Sequence, residues 1–333
     1  MPLPPRLTSK IKKCYTRKSN RLQKKRIGGD MVDILIRAML FIIIIIIGYG
    51  LKRVGIFKKE DFSTISKIVL NLTLPCAIIV NFSNLVMEKS LMIMIVIGFL
   101  CNVILIVVGY ILAIGKSNEE RSFNMINLGG YNIGSFTIPF AQAFLGPVGI
   151  VAICLFDAGN AIMATGGTYA VASSLDKSNG EKMTISAILK KLMSSPPLVC
   201  YIVMLILAFL KKDLPTPVLD LVGLIGAANA FLSMFMIGIG FQLNFKKSQV
   251  IQSTKIILSR YIVAAILAVI VYNVLPFDME IRKAIVLVVF SPISAVSTAF
   301  TEKIGGDIGL SSTINSLSII MGLVFITSIL VLI

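Results

Sequence analysis

Apolar residues run through this chain in long unbroken stretches, FIIIIII at 41–47 being the extreme, with short polar links between them. Crossing roughly 30 Å of hydrocarbon takes about 20 apolar residues in a helix. Stretches of that kind lie near 32–50, 62–83, 91–114, 124–145, 148–172, 189–210, 217–242, 254–276, 281–301 and 308–333. Hydrophobicity is continuous within each, which predicts helices, whereas a membrane barrel would alternate residue by residue. The expected fold is an all-α polytopic membrane protein of about ten transmembrane helices.

Two stretches carry polar and helix-breaking residues in mid-run. The fourth reads NIGSFTIPFAQAFLGPVGI (132–150) and the ninth FSPISAVSTAFTEKIGGDIGL (290–310). Proline in a helix interior removes a donor and clashes with the preceding turn, at about 3 kcal/mol. At bilayer depth, freed backbone survives only against protein or a polar cavity. Pro139 and Pro292 sit at similar depths in two halves, 31–174 and 188–333, of 144 and 146 residues. Five spans in each half send the second half in from the opposite side, which is an inverted-topology repeat. Residues 175–187 would link the halves on the cytoplasmic side. A simple kink relieved by neighbouring helices is the alternative for either proline.

Composition agrees: 56% of the 333 residues are hydrophobic and 14% charged, with a mean hydropathy of +0.91. The formal charge of +16 would suit nucleic acid, but Lys and Arg collect in links such as LKRVGIFKKE, DKSNGEK and NFKKSQ. No basic surface interleaved with stacking aromatics remains, so nucleic acid is not an expected partner. The basic links follow odd-numbered spans, and the positive-inside rule then puts those links in the cytoplasm and both termini outside the cell membrane. Residues 1–30 run against this, with ten basic residues and one acidic. Either translation starts at Met31, or the segment is a polybasic tail held at anionic lipid.

Histidine is absent and the five cysteines lack metal or disulfide spacing. There is no GxxxxGK[ST] loop and no Gly-x-Gly-Asp carboxylate pair. An enzyme is therefore not the reading, and no cofactor is expected. A sensor that signals through a partner is disfavoured by links of no more than about 17 residues.

Chemistry concentrates in a few polar positions at bilayer depth. Half-helix N-termini can present free amides and partial positive charge to an anion without a fixed charge. Asn132, Gly134, Ser135, Thr137 and Pro139 around the first interruption, with Ser291, Pro292, Ser294 and Ser297 around the second, are candidates for binding a small solute. For each hydroxyl, bonding back to its own helix is the competing use. Asn71 and Asn229 hold related places in the second span of each half. Asp157 is the deepest carboxylate, in VAICLFDAGNAIMATGG, with Asn160 one turn on. A carboxylate there costs several kcal/mol unless protonated, ion-bound or paired. Coupling to a proton or sodium ion is the functional reading of Asp157 and Asn160; a salt bridge to Lys67 or Arg37 is the other.

At these residues the chain resembles the auxin efflux carrier family of membrane transport proteins, whose bacterial members include malonate- and malate-permease-like carriers. The resemblance runs from about Met31 to the C-terminus. Asn132, Gly134, Pro139, Gly146 and Gly149 meet the family's fourth-span pattern, with Thr137 in place of a glycine. Asn71 and Pro75 in NLTLPCAII, Pro292, and EKIGGD match further family positions. Ser195 in SSPPL stands where an Asn is usual, and Phe231 where a proline is common. The resemblance implies two inverted five-helix repeats, related to sodium/proton antiporters, with spans 4 and 9 broken and crossing near the midplane. It implies a secondary transporter of organic anions, commonly carboxylates such as malate, malonate or an auxin-like acid. Proton coupling or uniport stays open, as do a sodium-coupled organic-anion symporter of bile-acid type and a homodimer.

Overall fold

The computed structural model describes residue 32 and residues 35–58, 60–83, 89–175, 185–242 and 249–332. The basic extension 1–30 and most of the 175–187 linker lie outside the described residues. Among the described residues, seven helices are long and apolar enough to cross a membrane: α1 (Leu35–Arg53), α2 (Asp61–Phe82), α3 (Ser90–Ile111), α6 (Pro147–Ser173), α9 (Thr216–Gly240), α10 (Val250–Val274) and α13 (Ile308–Leu332). The shorter apolar α8 (Pro196–Phe209) follows α7 (Ile185–Met193). Two further lines are interrupted. One is α4 (Asn118–Leu128) and α5 (133–141); the other is α11 (Met279–Val289) and α12 (Ser297–Lys303). Each predicted apolar run thus contains a helix or an interrupted pair, in an all-helical chain.

The first interruption is not at Pro139. The chain leaves helix at Gly129–Asn132, seven or more residues earlier, and Pro139 lies inside α5, just after a π-helical turn at Ile133–Thr137. The wider turn accommodates a residue that cannot donate. Pro292, by contrast, lies in the non-helical stretch between α11 and α12. The two prolines, paired by their depth in sequence, therefore do different work.

Helices pack in two sets. In one, α1 and α9 meet through a reciprocal glycine contact: a Cβ on Gly48 would stand 2.5 Å from the Phe235 carbonyl oxygen, and one on Gly238 2.2 Å from that of Ile45. The α2 and α8 helices pack on each other and α9 on α2. In the other set, α3 and α6 meet the same way, with Gly98 at 2.1 Å from the Phe156 oxygen and Gly159 at 1.9 Å from that of Ile95. This second set also holds α4, α10, α11, α12 and α13. Where a Cβ cannot fit, two helices approach backbone to backbone and lose the side-chain play that would let them slide. All four of these approaches lie inside a set. α5 lies along the seam and touches both sets, with Phe41 against its Phe140 and Leu74 against its Gly134, so the seam is closed by side chains.

Candidate functional site

The two interruptions meet. Tyr131 and Ile293 form an isolated antiparallel bridge, and the Asn132 N–H donates to the Pro292 carbonyl at 2.9 Å. Two half-helices end on each side of this contact.

Breaking a helix at depth frees donors and acceptors that water cannot reach, so other side chains must take them. At the first break the Gly130 N–H donates to Asn102 Oδ1 at 2.9 Å, and the Tyr131 N–H to Asn160 Oδ1 at 3.0 Å. Asn160 returns a bond from Nδ2 to the Tyr131 carbonyl, also 3.0 Å. At the second break the Ile293 N–H donates to Ser318 Oγ at 3.0 Å, while Asn315 Nδ2 donates to the carbonyls of Ile293 and Ser294, each at 3.1 Å. Arg260 of α10 serves both. Its guanidinium donates to the carbonyls of Leu128, Gly130 (2.9 Å), Ser291 (3.0 Å) and Pro292 (3.2 Å), and lies 4.8 Å from the centre of the Tyr131 ring.

Arg260 is 1% exposed. No carboxylate pairs with it among the described residues, so its charge rests on carbonyl dipoles at the C-terminal ends of α4 and α11, where the helix field favours a cation. Each break is reached by a side chain of the helix before its line (Asn102, Arg260) and an amide of the helix after (Asn160, Asn315), with Arg260 added at the first and Ser318 at the second.

Beyond the first break, α5 starts with amides of residues 133–135 that have no preceding turn to accept them. Asn132 and Ser135 flank this end, and neither side chain has a hydrogen-bond partner among the described residues. Gly134, half-buried, faces the Asp157 carboxylate: a Cβ there would stand 3.7 Å from Asp157 Oδ2. Asp157 accepts from Asn160 Nδ2 at 2.9 Å and from the Tyr201 hydroxyl of α8 at 3.1 Å. Neither Lys67 nor Arg37 is its partner. Lys67 is exposed, and Arg37 donates to the Ala143 carbonyl at 3.0 Å.

Asn160 has no capacity left. Its two N–H donors go to Tyr131 and Asp157, and its oxygen accepts from Tyr131 and from Asn102 Nδ2 at 3.2 Å. It positions the break and Asp157 rather than standing ready for an ion.

Other predicted residues divide. Thr137 and Ser291 share a hydrogen bond of 2.5 Å, so both hydroxyls tie one break to the other. Ser297 Oγ and Thr168 Oγ1 are buried without partners and, with Ser294, Gly129 and Gly130, line a cavity of about 10 Å³, the room one water takes. Asn229 is buried in α9, where its Oδ1 accepts from Thr73 Oγ1 at 3.0 Å and its Nδ2 has no partner. Asn71 is exposed, and its Nδ2 bonds back to the Lys67 carbonyl at 2.7 Å. Thr73, at the end of the π-helical turn Val69–Thr73 in α2, is the residue that reaches Asn229. Asn102, Arg260, Asn315 and Tyr201 were missed altogether. The first three are polar side chains inside apolar runs next to a break, a signal the sequence carries. Tyr201 has none, being one aromatic in an apolar run.

A helical membrane chain whose two interrupted lines meet with their backbone held by buried amides and an arginine is built like a carrier. A sequence model of the membrane transport protein family matches residues 34–332. The chain belongs to that family, the family of the auxin efflux carriers. It is similar to an uncharacterized transporter of Methanothermobacter thermautotrophicus, with 23% identity over 259 residues, 73% of this chain and 81% of that one. It is also similar to an uncharacterized transporter of Methanocaldococcus jannaschii, with 26% identity over 212 residues, 60% of this chain and 67% of the relative. Membership makes this a multi-pass membrane protein of a transporter family.

Proposed function

We propose that the chain is a secondary carrier of a small organic anion, a carboxylate of the malate or malonate kind or an auxin-like acid, working by alternating access in the cell membrane. One observation carries this reading: α5 opens with donors that have no partner among the described residues, the side chains of Asn132 and Ser135 and its leading amides, and Gly134 between them faces the Asp157 carboxylate. A helix N-terminus brings about half a positive charge and several N–H donors to an anion. It does so without the cost of another ionised side chain at depth.

Asp157 supplies the coupling. Two charges about 4 Å apart at an effective dielectric near 20 repel by about 4 kcal/mol. An anion seated at α5 therefore favours a protonated Asp157, and one proton travels with one anion. Release of the anion restores the carboxylate, which Asn160 and Tyr201 then hold.

Two inverted repeats, 31–174 and 188–333, with both termini outside, complete the reading. In its support, Thr73 and Asn229 lie in the second helix of each half and touch, and the two breaks are held by matching sets of neighbours. A sodium-coupled organic-anion symporter is the second reading. The hydroxyls of Thr168, Ser294 and Ser297 around the water-sized cavity favour it, since oxygen ligands suit a small hard cation. A thermal-shift screen of purified protein against mono- and dicarboxylates tests the first claim, because a ligand of the folded state raises its apparent stability. Uptake that requires sodium at fixed pH selects the second reading; uptake driven by a proton gradient without sodium selects the first.

A further inference from the structure

We infer that Tyr201 is the latch through which the charge state of Asp157 is felt by the α1, α2, α8 and α9 set. The inference rests on the carrier reading above for its purpose, but its geometry stands apart from the identity of the solute.

The two helix sets are each bound by glycine contacts that bring backbones together, and the seam between them is made of side chains. Three polar bonds cross the seam among those described: Arg37 to the Ala143 carbonyl, the Gln242 N–H to Ser316 Oγ at 3.1 Å, and the Tyr201 hydroxyl to Asp157 Oδ2. The first involves an exposed guanidinium and the second a half-buried stretch. Tyr201 is 1% exposed, its ring lies against Phe82 of α2 at 6.4 Å between centroids, and its hydroxyl reaches out of its own set to Asp157. Tyr201 is thus buried on its own side of the seam, while its acceptor Asp157 is half-buried and within reach of a proton from water.

Its strength depends on Asp157. A hydroxyl donating to an ionised carboxylate makes a bond roughly twice as strong as one between neutral groups. With Asp157 ionised, α8 is tied to α6, and through Asn160 to the peptide of Tyr131 at the crossing. A proton on Asp157, taken from water on the side the site then faces, leaves a neutral acid and weakens the tie. The side-chain seam is then the surface along which the sets can shift, and the proton returns to water on the other side. Among the described residues, the titratable groups within reach of the Asp157 charge are Tyr201 on α8 and Cys154 one turn back on α6, and no lysine or arginine is paired with it. The latch thus answers to Asp157 alone.

Tyr201→Phe removes the hydroxyl and keeps the ring. In proteoliposomes this variant should still exchange labelled for unlabelled carboxylate, while accumulation driven by a proton gradient falls about tenfold or more, the factor that losing a charge-assisted bond implies. Combined with Asp157→Asn, it should add no further loss to that variant alone. Accumulation equal to wild type, or an additional loss in the double variant, would overturn the latch. A readout without solute separates this from failure of the carrier reading: amide hydrogen exchange in wild type, Tyr201→Phe and Asp157→Asn. Peptides from 196–209 should exchange several-fold faster in both variants, and rates equal to wild type in Asp157→Asn would overturn the proposal even if Tyr201→Phe did not fold.

Discussion

Asn160 grips the peptide of Tyr131 from both sides, accepting from its N–H and donating to its carbonyl, each at 3.0 Å. An amide side chain here replaces the neighbouring turn of helix that the break removes. The same residue holds Asp157, so the shape of the crossing and the position of the carboxylate are set together.

Asn160→Ala should therefore cost more than an ordinary buried amide. Four bonds are lost, the Tyr131 N–H and carbonyl are left unpartnered and Asp157 keeps only Tyr201, at about 1–3 kcal/mol for each buried group that loses its partner. We expect a fall of several degrees or more in the melting temperature in detergent, with gradient-driven uptake lost. A melting temperature unchanged within a degree would show that water replaces the amide.

Arg260 should tolerate no substitute. Arg260→Met takes the donor from the carbonyls of Leu128, Gly130 and Ser291, while Pro292 keeps the Asn132 N–H, and about 3 kcal/mol or more of stability should go with them. Arg260→Lys should not restore it, because one ammonium cannot span carbonyls that a planar fork reaches. Detergent melts of both variants decide this; a lysine variant melting with wild type would mean that charge alone suffices.

Thr137 and Asn132 should separate structure from binding. The Thr137 hydroxyl is engaged with Ser291, whereas the Asn132 amide is free. Thr137→Val should lower stability by about 1 kcal/mol and leave the solute's concentration dependence in place. Asn132→Ala should weaken solute binding by about tenfold, one hydrogen bond to a charged group, with little change in the melt. Titration of thermal stabilisation against solute concentration reads both.

Gly159→Ala should break the α3–α6 contact. Its Cβ would stand 1.9 Å from the Ile95 carbonyl oxygen, and backbone cannot yield as a side chain does. Loss of monodisperse protein on gel filtration is the expected outcome; a well-behaved variant would show the helices freer to part than their packing implies.

Much of this was legible before any coordinates. Continuous apolar runs gave away a helical membrane protein, since a barrel would alternate residue by residue, and the Gly/Pro-rich fourth and ninth runs marked the lines that break. The place of the first break was not legible, because Pro139 is absorbed by a π turn and GGYN, without a proline, carries the interruption. Asn71 turned out to be exposed and bonded back to its own helix, while Thr73, two residues on, meets Asn229; which polar residue of a run faces inward is decided by packing. Arg260 was visible as a charge inside an apolar run, and was passed over because span-finding averages such a residue away. Asp157 was found, but its partner Tyr201 comes from the other half of the chain, and only the fold brings them together.

Counterflow in proteoliposomes tests the central claim most directly, using labelled malate or malonate outside and unlabelled carboxylate inside. Wild type should take up label transiently above equilibrium, and Asn132→Ala should reduce that overshoot about tenfold at limiting solute. No exchange of any mono- or dicarboxylate by folded wild-type protein, or full exchange by Asn132→Ala, would contradict a carboxylate carrier with its seat at the crossing.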